Sequence, residues 1–161
     1  MTTTFQLNGE SCRFDGDPMT PLIDLLRRDR FMTGTKAVCR EGFCGACIVH
    51  VESEPVPACL RPVGLLEGLS VTTIEGASQF DAEAQRLQAA FERVDAVQCG
   101  MCFPGMVMSL SEFLRENSRA DRDAVKHAMV GNICRCTGYE RIVDAVMECL
   151  AEGEHAGGAD V

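Results

Sequence analysis

The stretch Cys39-Arg40-Glu41-Gly42-Phe43-Cys44-Gly45-Ala46-Cys47 decides how the rest of the chain is read. Its three cysteines are spaced C-x4-C-x2-C, and a fourth, Cys59, follows after eleven intervening residues. A tight loop supplies three thiols and a later segment closes the set. Gly42 and Gly45 suit such a loop. Chain wrapped around a small inorganic core needs residues free of Cβ restrictions, with N–H groups turned toward the sulfurs.

Composition points the same way. Ten cysteines in 161 residues is the outlying number, and the N-terminus Met1-Thr2-Thr3-Thr4-Phe5 lacks the basic start and apolar run of a secretion signal. A cytoplasmic location is therefore expected. There thiols stay reduced, and ligation is a better default than disulfides. Eight cysteines form two quartets; Cys12 and Cys149 are left over, and both read as buried core. With 46% hydrophobic and 24% charged residues the chain is globular, and no apolar run is long enough for a membrane span. A net charge of −9 disfavours nucleic acid, whose phosphates need Lys and Arg.

The first quartet has the spacing of the plant-type [2Fe–2S] loop. Around it the pattern is mixed. Thr3–Leu7 alternates, Asn8-Gly9 follows, and Ser11–Phe14 forms a second short run, which predicts a hairpin. Pro18–Arg28 reads as a helix capped by Thr20, with Pro21 in its first turn and Leu22, Leu25 and Leu26 as a core stripe. The basic run from Arg27 to Arg30 reads as a solvated helix end. Ile48–Glu52 reads as a strand ended by Pro55 and Pro57, and Leu69–Ile74 as the last strand. An α+β domain over residues 1–76 is expected.

Beyond it the hydrophobic period changes from two to 3.6. Residues 77–84 are expected to link the domains, and 85–161 to form a helical domain with an acidic flexible tail from Glu152. Helices are predicted from the Asp81 cap to about Val94, over Met106–Glu116, over Arg122–Val130 behind the Asp121 cap, and over Gly138–Ala151. Four helices with short connections suggest an all-α bundle. His50, His127 and His155 read as unremarkable strand, helix and tail positions.

Two motifs interrupt these helices: Gln98-Cys99-Gly100-Met101-Cys102-Phe103-Pro104-Gly105 and Gly131-Asn132-Ile133-Cys134-Arg135-Cys136-Thr137-Gly138-Tyr139. Both can meet at one end of the bundle, where helix-start N–H groups favour an anion. Taken alone, C-x2-C with C-x-C is also compatible with a Zn(Cys)4 site. A plant-type loop upstream points instead to two [2Fe–2S] centres in one chain.

Together the motifs resemble the iron–sulfur subunit of the molybdenum hydroxylases, the xanthine dehydrogenase and aldehyde oxidoreductase family. The resemblance rests on Gly34-Thr35-Lys36, Gly42, Cys44-Gly45-Ala46-Cys47, Gln98-Cys99-Gly100, Pro104-Gly105 and Gly131-Asn132 through Tyr139, and spans residues 3 to 150. Val38, where the family usually has Gly, and Phe103, where Thr is common, depart from the pattern.

The resemblance implies a β-grasp plant-type ferredoxin domain holding one [2Fe–2S] cluster through Cys39, Cys44, Cys47 and Cys59. It implies a four-helix bundle domain holding the other through Cys99, Cys102, Cys134 and Cys136. Gln98 and Cys136 match positions that approach the pterin of a molybdenum cofactor on a large partner subunit, and FAD is expected on a medium one. A heterotrimer, single or doubled, is implied. The chain would relay single electrons between those sites, with no substrate site of its own. Gly42, Gly45 and Arg135 belong to the cluster environment, where amides and a nearby positive charge adjust potential. The competing reading is a free-standing ferredoxin-like carrier, for which the helical half would be superfluous.

Overall fold

The structure, a computed structural model, describes residues 2–156, and side chains through Glu152. It is an α+β fold with a five-stranded mixed sheet followed by helices. None of the described helices is long and apolar enough to cross a membrane.

The predicted hairpin forms between β1 (Thr2–Leu7) and β2 (Glu10–Asp15), with Phe5 opposite Cys12. Asn8 and Gly9 both take positive φ, the turn whose twist matches paired strands. Alternation along β1 buries Thr3, Phe5 and Leu7. β3 (Ile48–Val51) and β5 (Ser70–Thr72) complete the centre, with β5 parallel to β1 and antiparallel to β3.

Pro55 and Pro57 do not end the sheet. They lie in β4 (Glu54–Pro57), an edge strand antiparallel to β3 in the order β2-β1-β5-β3-β4. Ala58 N–H bonds Cys47 O, so alternation along the strand aims Pro55 and Pro57 away from β3, where no donor is missed. The β3–β4 turn uses Glu52 and Ser53 at positive φ, without the glycine that would have announced it.

The first helix is also shorter than expected. α1 (Leu22–Asp24) runs directly into a π turn, Leu25–Asp29. Pro21 stays extended because it bridges to Pro62, so neither it nor Thr20 opens the helix as predicted. Leu22, Ile23, Leu25 and Leu26 are buried against Phe5, Val49, Val51 and Val71.

Residues 77–84, expected as a linker, are mostly helical. α2 (Ile74–Phe80) follows β5, and α3 (Ala82–Arg93) starts at Asp81, whose carboxylate accepts from the Glu83 and Ala84 amides as a cap. α4 (Phe103–Glu116), α5 (Arg122–Ala128) and α6 (Glu140–Ala156) complete the chain. Asp121 caps α5 as predicted, through the Ala124 amide. α6 starts two residues after Gly138 because Gly138 and Tyr139 have positive φ, and it extends past Ala151 into the stretch expected as tail. Residues 157–161 and the side chain of His155 lie outside the described residues.

α3 packs on α4 and α6 around Leu87, Phe91, Met106, Leu110, Ile142 and Val146. Cys149 is buried in this core and Cys12 in the other, as expected. Phe103 has a clear role: its ring lies 5.3 Å from that of Phe91 and tilted by 55°, a favourable aromatic geometry.

The halves meet along a polar seam. His50 lies on the strand as expected, is buried there, and its Nε2 lies 2.7 Å from Met108 O on α4. Arg115 donates to Asp81 at 2.5 Å and to Ser53 O at 3.1 Å. A Cβ at Gly105 would overlap the Gly45 carbonyl, so α4 begins in direct backbone contact with the first cysteine loop.

Candidate metal centres

The first loop has no regular secondary structure; backbone bonds to its flanks and one side chain shape it. Lys36 N–H donates to Ala46 O at 3.2 Å and Ala58 N–H to Cys47 O at 3.1 Å, which brings Cys59 back to the loop. Arg27, expected at a solvated helix end, donates instead to Thr33 O at 2.7 Å and Thr35 O at 2.8 Å. It fixes the turn that launches the loop. Gly42 and Gly45 both have positive φ, and Gly45 also faces the Gly131 and Asn132 backbone with no room for a side chain.

Each quartet converges. In the first quartet Cys44 acts on the Cys39 thiol, and Cys59 and Cys44 act on Cys47, so these groups are electrostatic neighbours. In the helical half Cys136 Sγ lies 3.3 Å from Cys99 Sγ, and Cys134 acts electrostatically on Cys102. All eight are free thiols. Among the described residues no three Cys, His, Asp or Glu side chains cluster as around a single ion. Four free thiols per quartet match the needs of a binuclear iron core, which takes two thiolates on each iron. The donor set therefore fits one [2Fe–2S] cluster in each quartet.

The thiols divide by environment. Cys39 accepts from the Glu41 amide, which lowers its pKa to about 6. Cys99 is lowered by the Met101 amide. Burial pushes Cys47 and Cys102 up to about 12. Cys136 is raised, chiefly by its bond with Cys99. Burial raises Cys134, but hydrogen bonds from Thr137 and neighbouring amides outweigh it and leave the thiol lowered. Amides aimed at sulfur are what a thiolate-bound cluster needs, because they stabilise its negative charge.

A cavity of about 200 Å³ lies between the quartets, lined by Val38, Cys44, Ala46, Met101, Ile133 and Arg135 together with the helical thiols. Cys99 and Cys136 are exposed at its edge, and Gln98, just before Cys99, is exposed as well. Val38 is half-exposed and lines this cavity beside Cys44. Arg135 is exposed beside Cys136.

The quartets are joined directly. Ile133 N–H donates to Cys44 O at 2.9 Å, and Asn132 Nδ2 donates to Gly45 O at 3.3 Å. Reading the sequence in two halves missed this seam. It also missed two hydrogen bonds: the Tyr139 hydroxyl, on a side chain that packs against the helical core, accepts from the Cys134 amide at 2.9 Å, and the Thr137 hydroxyl lies 3.0 Å from Cys134 Sγ. The signal was present: Asn132, Thr137 and Tyr139 all sit within the second motif.

Comparison with known proteins agrees with this geometry. The family profile of the 2Fe-2S iron-sulfur cluster binding domain matches residues 5–68, and that of the [2Fe-2S] binding domain matches residues 73–147. The chain is 39% identical over 146 residues to the nicotinate dehydrogenase small FeS subunit of Eubacterium barkeri, covering 91% of this chain and 92% of that one. It is 40% identical over 139 residues to aldehyde oxidase 4 of Cavia porcellus, covering 80% of this chain but only 10% of that protein's length. Quinoline 2-oxidoreductase from Pseudomonas putida 86 contains a chain that superposes with a TM-score of 0.87 at 39% identity, covering 100% of this chain and 98% of that one. With a cysteine quartet in each half and near full-length similarity to these small subunits, this chain belongs to the iron–sulfur subunits of the molybdenum hydroxylases, the xanthine dehydrogenase and aldehyde oxidoreductase family.

Proposed function

We propose that this chain is the electron-transfer subunit of a heteromeric molybdenum hydroxylase. It passes single electrons between a molybdopterin site on a large partner and an FAD site on a medium partner. Cys39, Cys44, Cys47 and Cys59 hold one [2Fe–2S] cluster; Cys99, Cys102, Cys134 and Cys136 hold the other. Each cluster, when bound, supplies a one-electron carrier. The protein's part is to hold the two sites together, exclude water and set their electrostatics.

We read residues 1–76 as a β-grasp domain, 77–84 as the junction and 85–161 as the second domain, with α3 to α6 as a four-helix bundle. The exposed Gln98 and Cys136 form the face for the pterin-bearing partner, whose own chemistry selects the substrate. The assembly is a heterotrimer, single or doubled, in the cytoplasm. The quinoline and nicotinate enzymes named above favour an aromatic N-heterocycle as the partner's substrate.

The bond from Ile133 N–H to Cys44 O carries this reading. Cys44 belongs to the first quartet, and Ile133 is covalently next to Cys134 of the second. A short path of bonds, interrupted by a single hydrogen bond, connects the two sulfur sets.

The test is low-temperature EPR of the dithionite-reduced holoprotein, with iron and acid-labile sulfide counted on the same sample. Two distinct [2Fe–2S] signals and about four irons per chain are expected. One signal with about two irons would leave a single-cluster carrier.

A further inference from the structure

Three hydrogen bonds link Cys134, Tyr139 and Thr137 into a closed ring beyond the thiolate ligands themselves. The Cys134 amide donates to Tyr139 Oη at 2.9 Å. The Tyr139 amide donates to Thr137 Oγ1 at 3.1 Å. Thr137 Oγ1 in turn lies 3.0 Å from Cys134 Sγ. Gly138 and Tyr139, at φ +65° and +69°, turn the chain back so that the ring closes. A tyrosine held in the left-handed region carries backbone strain, which the surrounding contacts must hold in place.

The direction of the last bond follows from chemistry. A cysteine bound to iron is a thiolate and has no proton to give. Thr137 Oγ1 already accepts the Tyr139 amide, so its own hydrogen is left for the sulfur. Cys134 is buried, which strengthens a hydrogen bond to its sulfur.

We propose that Thr137 is a positioning residue that raises the reduction potential of the helical centre through an O–H···S bond to Cys134, with Tyr139 aiming it. Reduction adds negative charge to the thiolate set. A donor to one of those sulfurs stabilises the reduced form more than the oxidised form, and hydrogen bonds to ligand sulfur are a recognised lever on cluster potential. The same bond lies at the residue next to Ile133, so it acts where the two quartets are joined. This inference rests on the helical quartet holding a [2Fe–2S] cluster.

The experiment is an EPR-monitored redox titration of the holoprotein and its variants. Thr137→Val removes the donor and keeps the shape. The midpoint of one [2Fe–2S] signal should move to more negative potential while the other stays in place, and Thr137→Ser should return it toward the wild-type value. An unchanged midpoint in Thr137→Val, or a Thr137→Ser that behaves like Thr137→Val, overturns the proposal. Thr137→Ala serves as a second deletion with less bulk. If both deletions lose the helical centre while Thr137→Ser keeps it at the wild-type potential, the bond is a folding contact and the tuning role is wrong. A wild type with only one [2Fe–2S] signal would instead defeat the two-cluster reading, before any variant is compared.

Discussion

Ile133 and Cys44 are joined by a 2.9 Å backbone hydrogen bond, and through it the second cysteine motif is continuous with the first loop. Asn132, one residue earlier, is buried and holds the same seam from its side chain, donating to Gly45 O at 3.3 Å. Asn132→Ala removes that donor and leaves the Gly45 carbonyl with the Ile48 N–H at 3.4 Å. The expected cost is about 0.5–1.5 kcal/mol. Electron exchange between the centres should slow while each keeps its own EPR spectrum. Freeze-quench EPR after partial reduction measures this, and an exchange rate equal to wild type would detach the seam from the relay.

Gly105 has no space for a methyl group, because a Cβ there would overlap the Gly45 carbonyl. Backbone cannot swing aside as a side chain can. Gly105→Ala should therefore destabilise by about 1–3 kcal/mol, read as a lower denaturant midpoint at unchanged slope. Gly131→Ala is the control: its Cβ would meet open space, with nothing within 4 Å. That variant should stay within about 0.5 kcal/mol of wild type.

His50 makes stability depend on pH. Burial lowers its pKa below the ordinary 6.5. Its neighbours act in both directions: Arg115 on α4 lowers it further, while the Met108 carbonyl, Asp81 and Glu54 raise it. In the neutral ring Nε2–H donates to Met108 O, which leaves Nδ1 unprotonated 3.9 Å from Asp81. As pH falls through 6.5 the unfolded chain takes up a proton that the folded chain refuses. Stability should then drop with falling pH until the lowered folded value is reached. His50→Gln should flatten that slope in urea titrations run between about pH 5 and 8. A slope as steep in the variant as in wild type would assign the dependence to another group.

Local signals carried much of this fold and nearly all of the candidate site. Asn8-Gly9 identified its hairpin because that turn needs positive φ at both positions, and Asp81 and Asp121 were readable as caps because short carboxylates satisfy helix-start amides. β4 was not legible, since Pro55 and Pro57 argue against a strand unless its outer side is known to be an edge. The start of the first helix was hidden for a similar reason: Pro21 is held extended by Pro62, some forty residues away in sequence. Cysteine spacing announced both quartets, but not that they touch. Contacts such as His50 with Met108 or Asn132 with Gly45 join residues 58 and 87 positions apart, and no local period encodes them.

The edge prolines of β4 have one more consequence. An open sheet edge is ordinarily a template on which a second polypeptide can add a strand. Here the outward positions Pro55 and Pro57 have no N–H to offer, so an incoming strand would find its acceptors unmatched along that side. Aggregation by strand addition is thus hindered there by covalent structure, and neither a change of pH nor added salt, which weaken protection by surface charge, would remove that barrier.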